Sequence, residues 1–124
     1  MLICVVVIVY LGIKNYASYE VGGLPQVNFE SAKRYLIRVA GGHYPLAYEI
    51  IRRESGWNEK ICNQKHGCGS GQGLFQIIPS TLKHCEDKLE RVLDPFYYKD
   101  NIDCGVWLLK NEGIGHWQPY SGPY

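Results

Sequence analysis

Apolar and polar positions divide the chain into a dense apolar run, four helical stretches with glycine-rich connections, and an aromatic tail. The run LICVVVIVYLGI at residues 2–13 carries no charge. It is shorter than the roughly 20 residues a membrane span needs and fits the apolar region of a secretory signal. No basic residue precedes it, and Tyr16-Ala17-Ser18 does not match a signal cleavage site. Residues 1–17 are therefore expected to be an export signal or a short uncleaved anchor, with a buried Val/Ile-rich strand as the alternative. Either membrane reading puts the rest of the chain outside the cytoplasm. Residues 18–27, SYEVGGLPQV, read as a linker, and residues 28–124 as the folded domain.

Within that domain, Asn28 is a candidate N-cap for a helix over FESAKRYLIRVA, with Phe29, Ala32, Tyr35, Leu36 and Val39 on one face and Gly41-Gly42 as its stop. Pro45 opens a second helix and Gly56 closes it. Ala47, Ile50 and Ile51 form its apolar stripe. Glu54, three residues after Ile51 and four after Ile50, shares that stripe. A carboxylate thus stands at the end of a helix where a core residue is expected. Residues 57–72 lack periodicity and read as an ordered glycine-rich loop, followed by the apolar segment Gly73–Pro79 with Gln76 inside it. Ser80 and Thr81 lead into a short helix, TLKHCEDKL. Asp94-Pro95 reads as an N-cap and first-turn proline for a long helix carrying Ile102, Val106, Leu108 and Leu109, with Trp107 among them. Gly105 on that helix leaves room for another element to approach. Gly113 ends it, and HWQPYSGPY forms an aromatic loop. The expected fold is mainly α, a compact helical domain with little or no sheet.

At 124 residues the chain is one domain. A net charge of +1 without a Lys/Arg cluster argues against a nucleic-acid partner. The ten tyrosines and three tryptophans suit sugar binding and core packing alike. Apart from Cys4 in the apolar run, four cysteines remain: Cys62, Cys68, Cys85 and Cys104. An even number in an exported domain points to disulfides, and four cysteines allow three pairings. Cys62–Cys68 would close the glycine-rich loop and Cys85–Cys104 would staple two helices. A zinc site using His66 or His84 is the rival, but the chain has no C-x-x-C pair.

Glu54-Ser55, GLFQI at 73–77, NIDCGVWLL at 101–109 and an aromatic C-terminal segment, in that order, resemble the motifs of the SLT-type lytic transglycosylases, which have a lysozyme-like fold and are related to goose-type lysozymes. The resemblance covers roughly residues 45–120. It implies a substrate groove, a glycan strand of peptidoglycan as partner, a monomer and no cofactor or metal. It makes Glu54 the catalytic acid and base, with Ser55, Leu74, Phe75, Gln76, Trp117 and Tyr120 against substrate and Asn101 buttressing the site. Ser55 has helix capping as its other role, and Trp117 has packing on the long helix. The C-terminal segment departs from the family's usual Ala-Tyr-Asn motif, which leaves Tyr120 as the candidate active-site tyrosine.

The residues themselves support the same chemistry. Glycoside cleavage passes through an oxocarbenium-like transition state and needs a proton for a poor leaving group. A carboxyl packed against apolar neighbours is suited to supply one. Glu59 is the sole other acid from Ser55 to Lys83, with Glu86, Asp87, Asp94, Asp100 and Asp103 further on. Without an obvious second carboxylate, a lyase forming a 1,6-anhydro sugar is expected ahead of a muramidase that uses water. Chitin as substrate and a non-catalytic glycan-binding module are further alternatives.

Overall fold

The computed structural model describes residues 24–62 and 67–117. The apolar run at 2–13, most of the expected linker, His66 and Tyr120 lie outside them. Four helices make the body of the domain: α1 (Leu24–Ala40), α2 (Tyr44–Ser55), α3 (Pro79–Leu89) and α4 (Tyr98–Glu112). A 3-10 turn, Gly41–His43, joins α1 to α2, and a second, Ile114–Trp117, follows α4. Among the described residues the only strand-like pairing is two isolated antiparallel bridges, Cys62 with Gln72 and Gln72 with Ile77. The fold is mainly helical, as the apolar spacing requires. No helix among the described residues is long and apolar enough to cross a membrane.

Helix α4 is the axis of the core. Helices α1, α2 and α3 all pack on it, and α1 also packs on α2. The residues they bury are the periodic apolar ones: Leu36 from α1, Ala47, Ile50 and Ile51 from α2, and Ile102 and Leu108 from α4, all fully buried. Burying a side chain of that size stabilises by about 1.5–3 kcal/mol. Cys85 of α3 and Cys104 of α4 are disulfide-bonded, as are Cys62 and Cys68 in the loop after α2. Both pairings match the expected ones, and they leave none of the four sulfurs as a thiolate for zinc.

The helix ends differ from expectation in three places. Helix α1 starts at Leu24, so Asn28 lies inside it and Pro25 in its first turn, where a missing N–H costs no hydrogen bond. Helix α3 starts at Pro79 for the same reason, two residues before Thr81. Helix α4 starts at Tyr98 rather than after Asp94. Asp94 caps a turn instead: its Oδ1 accepts from Phe96 N–H at 2.9 Å and its carbonyl from Tyr97 N–H at 3.1 Å. The start of α4 is capped from a distance, by Glu59 Oε2 accepting from Tyr98 N–H at 3.2 Å. The other boundaries hold: Gly56 is the left-handed C-cap of α2 and Gly113 follows α4.

A polar network ties α1 to α4 on the outside. Tyr35 donates to Asp103, and Arg91 binds both Asp103 and Asp100. Burial and the bond to Asp103 push the Tyr35 hydroxyl up to about 12.

Gly105 is where the loop after α2 meets the axis helix. A Cβ there would stand 2.2 Å from the Phe75 ring. Gly105→Ala therefore forces a fully buried ring to move, an overpacking that costs about 1–3 kcal/mol. The expected result is a clearly lowered urea midpoint with an unchanged slope. A midpoint equal to the parent's contradicts this packing.

Candidate functional site

Glu54 stands one residue before the end of α2, half-buried, above the fully buried Ile50 and Ile51. The chain leaves this helix through a tight series of turns. Gly56 N–H bonds Arg52 carbonyl, Asn58 N–H bonds Ser55 carbonyl, and Ile61 N–H bonds Asn58 carbonyl. Ser55 takes part in this exit: its Oγ donates to Ile51 carbonyl at 3.0 Å and accepts from Trp57 N–H at 3.2 Å. The hydroxyl is buried and engaged with backbone on both sides, which is the capping role. Trp57 packs its ring between Phe29 and Tyr48, each centroid 5.0 Å away. On the outer face of α2, Arg52 and Arg53 both bind Glu49, and the Arg52 guanidinium holds the Glu49 carboxyl below its ordinary range.

The segment Gln72–Ile77 is a closed hairpin turn, with Gln72 and Ile77 exchanging backbone bonds at 3.0 and 3.1 Å. The carbonyl of Ile61 joins it to the exit from α2, accepting from Gly73 N–H at 2.9 Å and from Gln76 Nε2 at 3.1 Å. Gln76 adopts a left-handed backbone, φ 50, which turns its side chain back across the hairpin. Its Nε2 also donates to Gly73 carbonyl at 2.8 Å, while its Oε1 lies over Gly71. The amide nitrogen is thus committed to the chain, and the half-buried residue keeps its oxygen as an acceptor. Leu74 and Phe75 are fully buried, so their side chains belong to the core and not to an exposed surface.

Asn101 of α4 holds this hairpin from behind. It is fully buried, and all its polar atoms are satisfied by main chain. Oδ1 accepts from Phe75 N–H at 2.8 Å, and Nδ2 donates to Gln72 carbonyl at 3.0 Å and Pro95 carbonyl at 2.9 Å. The fit requires Gly73: a Cβ there would stand 2.1 Å from the Pro95 carbonyl and 2.4 Å from Asn101 Nδ2, and its φ is 72.

Trp117 closes the far side. It is 5 % exposed, its ring lies 5.4 Å from that of Phe75, and its Nε1 donates to Phe75 carbonyl at 2.8 Å. Of the two roles open to it from sequence, this is packing, although against the hairpin as well as the helix. An open pocket of about 350 Å³ lies beside it, lined by Gln76, Ile77, Ile78, Thr81, Leu108, His116 and Trp117.

Hydrogen bonds therefore link Ser55, Gln76, Asn101 and Trp117 across α2, the hairpin, α4 and the last turn, and Glu54 stands next to Ser55 at the end of α2. The sequence reading passed over His116, which lines the pocket, and Glu112, which binds it at 2.7 Å. Sequence offers little sign of the pair, because Gly113 breaks the helix between them.

The model of the Transglycosylase SLT domain family matches residues 39–113, more than half of the chain. The chain belongs to that family. The match spans α2, the hairpin and all of α4. No curated protein and no solved structure matches the chain. SLT domains are in general glycan-cleaving enzymes that act on peptidoglycan outside the cytoplasm, and two disulfides fit an oxidising compartment.

Removing the Asn101 amide takes away the partner of Phe75 N–H and of the Pro95 carbonyl in this SLT domain and leaves the Gln72 carbonyl only its bond from Ile77 N–H; a buried group left unpaired costs about 1–3 kcal/mol. Asn101→Ala is expected to be among the most destabilising substitutions in the domain. Asn101→Asp rescues little at neutral pH, because a carboxylate meets the two carbonyl oxygens of Gln72 and Pro95. Thermal unfolding of both variants tests this, and parent-like stability of Asn101→Asp contradicts the assigned amide orientation.

Proposed function

We propose that this SLT domain is a lytic transglycosylase that breaks the β-1,4 bond between N-acetylmuramic acid and N-acetylglucosamine, with Glu54 as general acid and then base. The observation that carries this reading is the SLT family match over residues 39–113, which takes in Glu54 at the half-buried end of α2. The use of the other carboxylates favours an internal displacement over hydrolysis. Glu59 caps α4 at Tyr98, Glu86 accepts from Leu93 N–H, and Asp94 accepts from Phe96 N–H. Asp100 holds Arg91 and Asp94 N–H, and Asp103 holds Tyr35 and Arg91. Asp87 is exposed on α3. Each of these acids has a structural bond or a place on the outer surface. Glu54 stands half-buried at the exit of α2, above Ile50 and Ile51.

A single carboxyl suffices for an internal displacement. Glu54 gives its proton to the glycosidic oxygen as the bond from the muramic anomeric carbon breaks. Positive charge develops on that carbon and the ring oxygen. The muramic 6-hydroxyl then attacks the anomeric carbon and gives its proton to the Glu54 carboxylate. The acid is regenerated, no water is consumed, and the product end is a 1,6-anhydro sugar. Gln76 Oε1 accepts a hydrogen bond from a substrate amide or hydroxyl, and the hairpin backbone above Leu74 and Phe75 forms the groove floor. Tyr120 completes the substrate contacts suggested by the family resemblance. The domain works as an exported or membrane-tethered monomer on glycan strands.

Mass spectrometry of fragments released from purified peptidoglycan tests the reading. Anhydro-muramic ends, one water lighter than reducing ends, are expected from the parent. Glu54→Gln is expected to lower release by about 10²–10⁴-fold, the range for loss of a general acid or base. Reducing ends would make the enzyme a muramidase, and undiminished release by Glu54→Gln would remove the mechanism altogether.

A further inference from the structure

Outside the catalytic assembly, the described residues contain one carboxylate shared between two histidines. Glu112, the last residue of α4, places Oε2 at 2.7 Å from Nε2 of His84 on α3 and Oε1 at 2.7 Å from Nε2 of His116 in the final turn. The two imidazoles lean on tryptophans. His84 meets Trp107 edge-on at 5.5 Å, and His116 meets Trp117 in the same way at 5.8 Å. Trp117 in turn donates to the Phe75 carbonyl, inside the hairpin that carries Gln76. His116 and Trp117 also line the open pocket that Gln76 and Thr81 share.

We propose that Glu112 is a positioning residue for substrate binding: by holding His84 and His116 on its two oxygens, it fixes the last turn against the hairpin and sets the pocket wall beside Gln76. The role in substrate binding rests on the function proposed above, whereas the mechanical role does not. Gly113 breaks α4 immediately after Glu112, with φ 82, so the helix itself does not dictate where the turn goes. The turn is placed by the His116 bond on one side and the Trp117 bond on the other. Without the carboxylate, the turn keeps one anchor of the two. The substrate class this pocket favours is a glycan bearing amide and hydroxyl groups, met by the Thr81 hydroxyl, the Gln76 oxygen and the His116 ring above an apolar floor of Ile77 and Leu108.

The hydrogen bond from His84, then that from His116, holds the Glu112 carboxyl below its ordinary range. The charged groups bearing on it are His84 from α3 and His116 from the turn. Lys110 on α4 is engaged elsewhere, its Nζ donating to the Val39 carbonyl at 2.8 Å. A depressed carboxyl contributes while ionised. The contribution of the clamp is present above the ordinary carboxyl value and is lost as pH falls through the lowered one. The three side chains are partly exposed, so salt weakens the clamp.

Two readouts on the full chain test the proposal. The first is hydrogen exchange of the Trp117 indole N–H, followed by nitrogen-15 NMR without reference to activity. The second is the split between KM and kcat on soluble, uncrosslinked peptidoglycan strands. In Glu112→Ala, exchange is expected to accelerate by roughly tenfold through easier local opening. KM rises several-fold while kcat stays near the parent's, because Glu54 is untouched. Glu112→Gln, which keeps an acceptor oxygen, recovers part of both effects, and the rise in KM expected of the parent at acid pH is absent from it. Unchanged indole exchange in Glu112→Ala overturns the clamp. A fall in kcat at constant KM overturns its role in binding. If the parent itself cleaves no glycan, the proposed function fails, and indole exchange alone still decides the clamp.

Discussion

The structure of the site depends on one buried amide. Asn101 closes three hydrogen bonds to three separate pieces of main chain: the middle of the hairpin, its first residue, and the turn before α4. The Phe75 N–H that it meets is buried away from water, and leaving such a group unpaired is costly. A helix cannot supply partners from its own backbone, which is already used. It can supply an amide, whose oxygen and nitrogen serve a donor and two acceptors at once. The two glycines follow from that constraint. Gly73 lets the hairpin come down onto Asn101, and Gly105, one turn along α4, receives the Phe75 ring.

A hairpin held this way is rigid on its buried side, so its outer side can serve chemistry. The Ile61 carbonyl transmits the same order to the end of α2, since it takes bonds from both Gly73 and Gln76. Glu54 and the Gln76 amide are therefore referred to a common frame. Ser55 is part of that frame, because its hydroxyl joins the last turn of α2 to the exit at Trp57. Preorganisation of this kind suits the proposed reaction, in which one carboxyl acts twice, at a leaving oxygen and then at an incoming hydroxyl.

Much of this was legible in sequence, and the parts that were not share a cause. Spacing placed Ala47, Ile50 and Ile51 in the core, Gly56 at the helix end and Gly105 at a close approach, because each is a local rule of helix geometry. The two disulfides were legible for a similar reason: one closes a short loop and the other joins helices that must lie side by side. The start of α4 was misread because an Asp-Pro pair serves a turn as well as a helix cap. What decided between them was Glu59, 39 residues away, which caps α4 at Tyr98. Gly73 offered no sign of its partner either, since Asn101 is a long-range contact. The burial of Trp117 was equally hidden, as an aromatic residue near a chain end looks the same whether it packs or binds.

The use of charge follows the same division between local and distant. On the outer face of α2, Glu49 meets Arg52 and Arg53 at helical spacing, an arrangement readable from sequence and worth little in solvent. On α4, Asp100 and Asp103 face Arg91 and Tyr35, and together they hold the connection between α3 and α4 against α1. Charges committed in this way are withdrawn from the groove, which leaves its polarity to few groups. The acids that brace the fold and the acid proposed to do the chemistry stand on different elements: Asp100 and Asp103 lie on α4, and Glu54 lies at the end of α2.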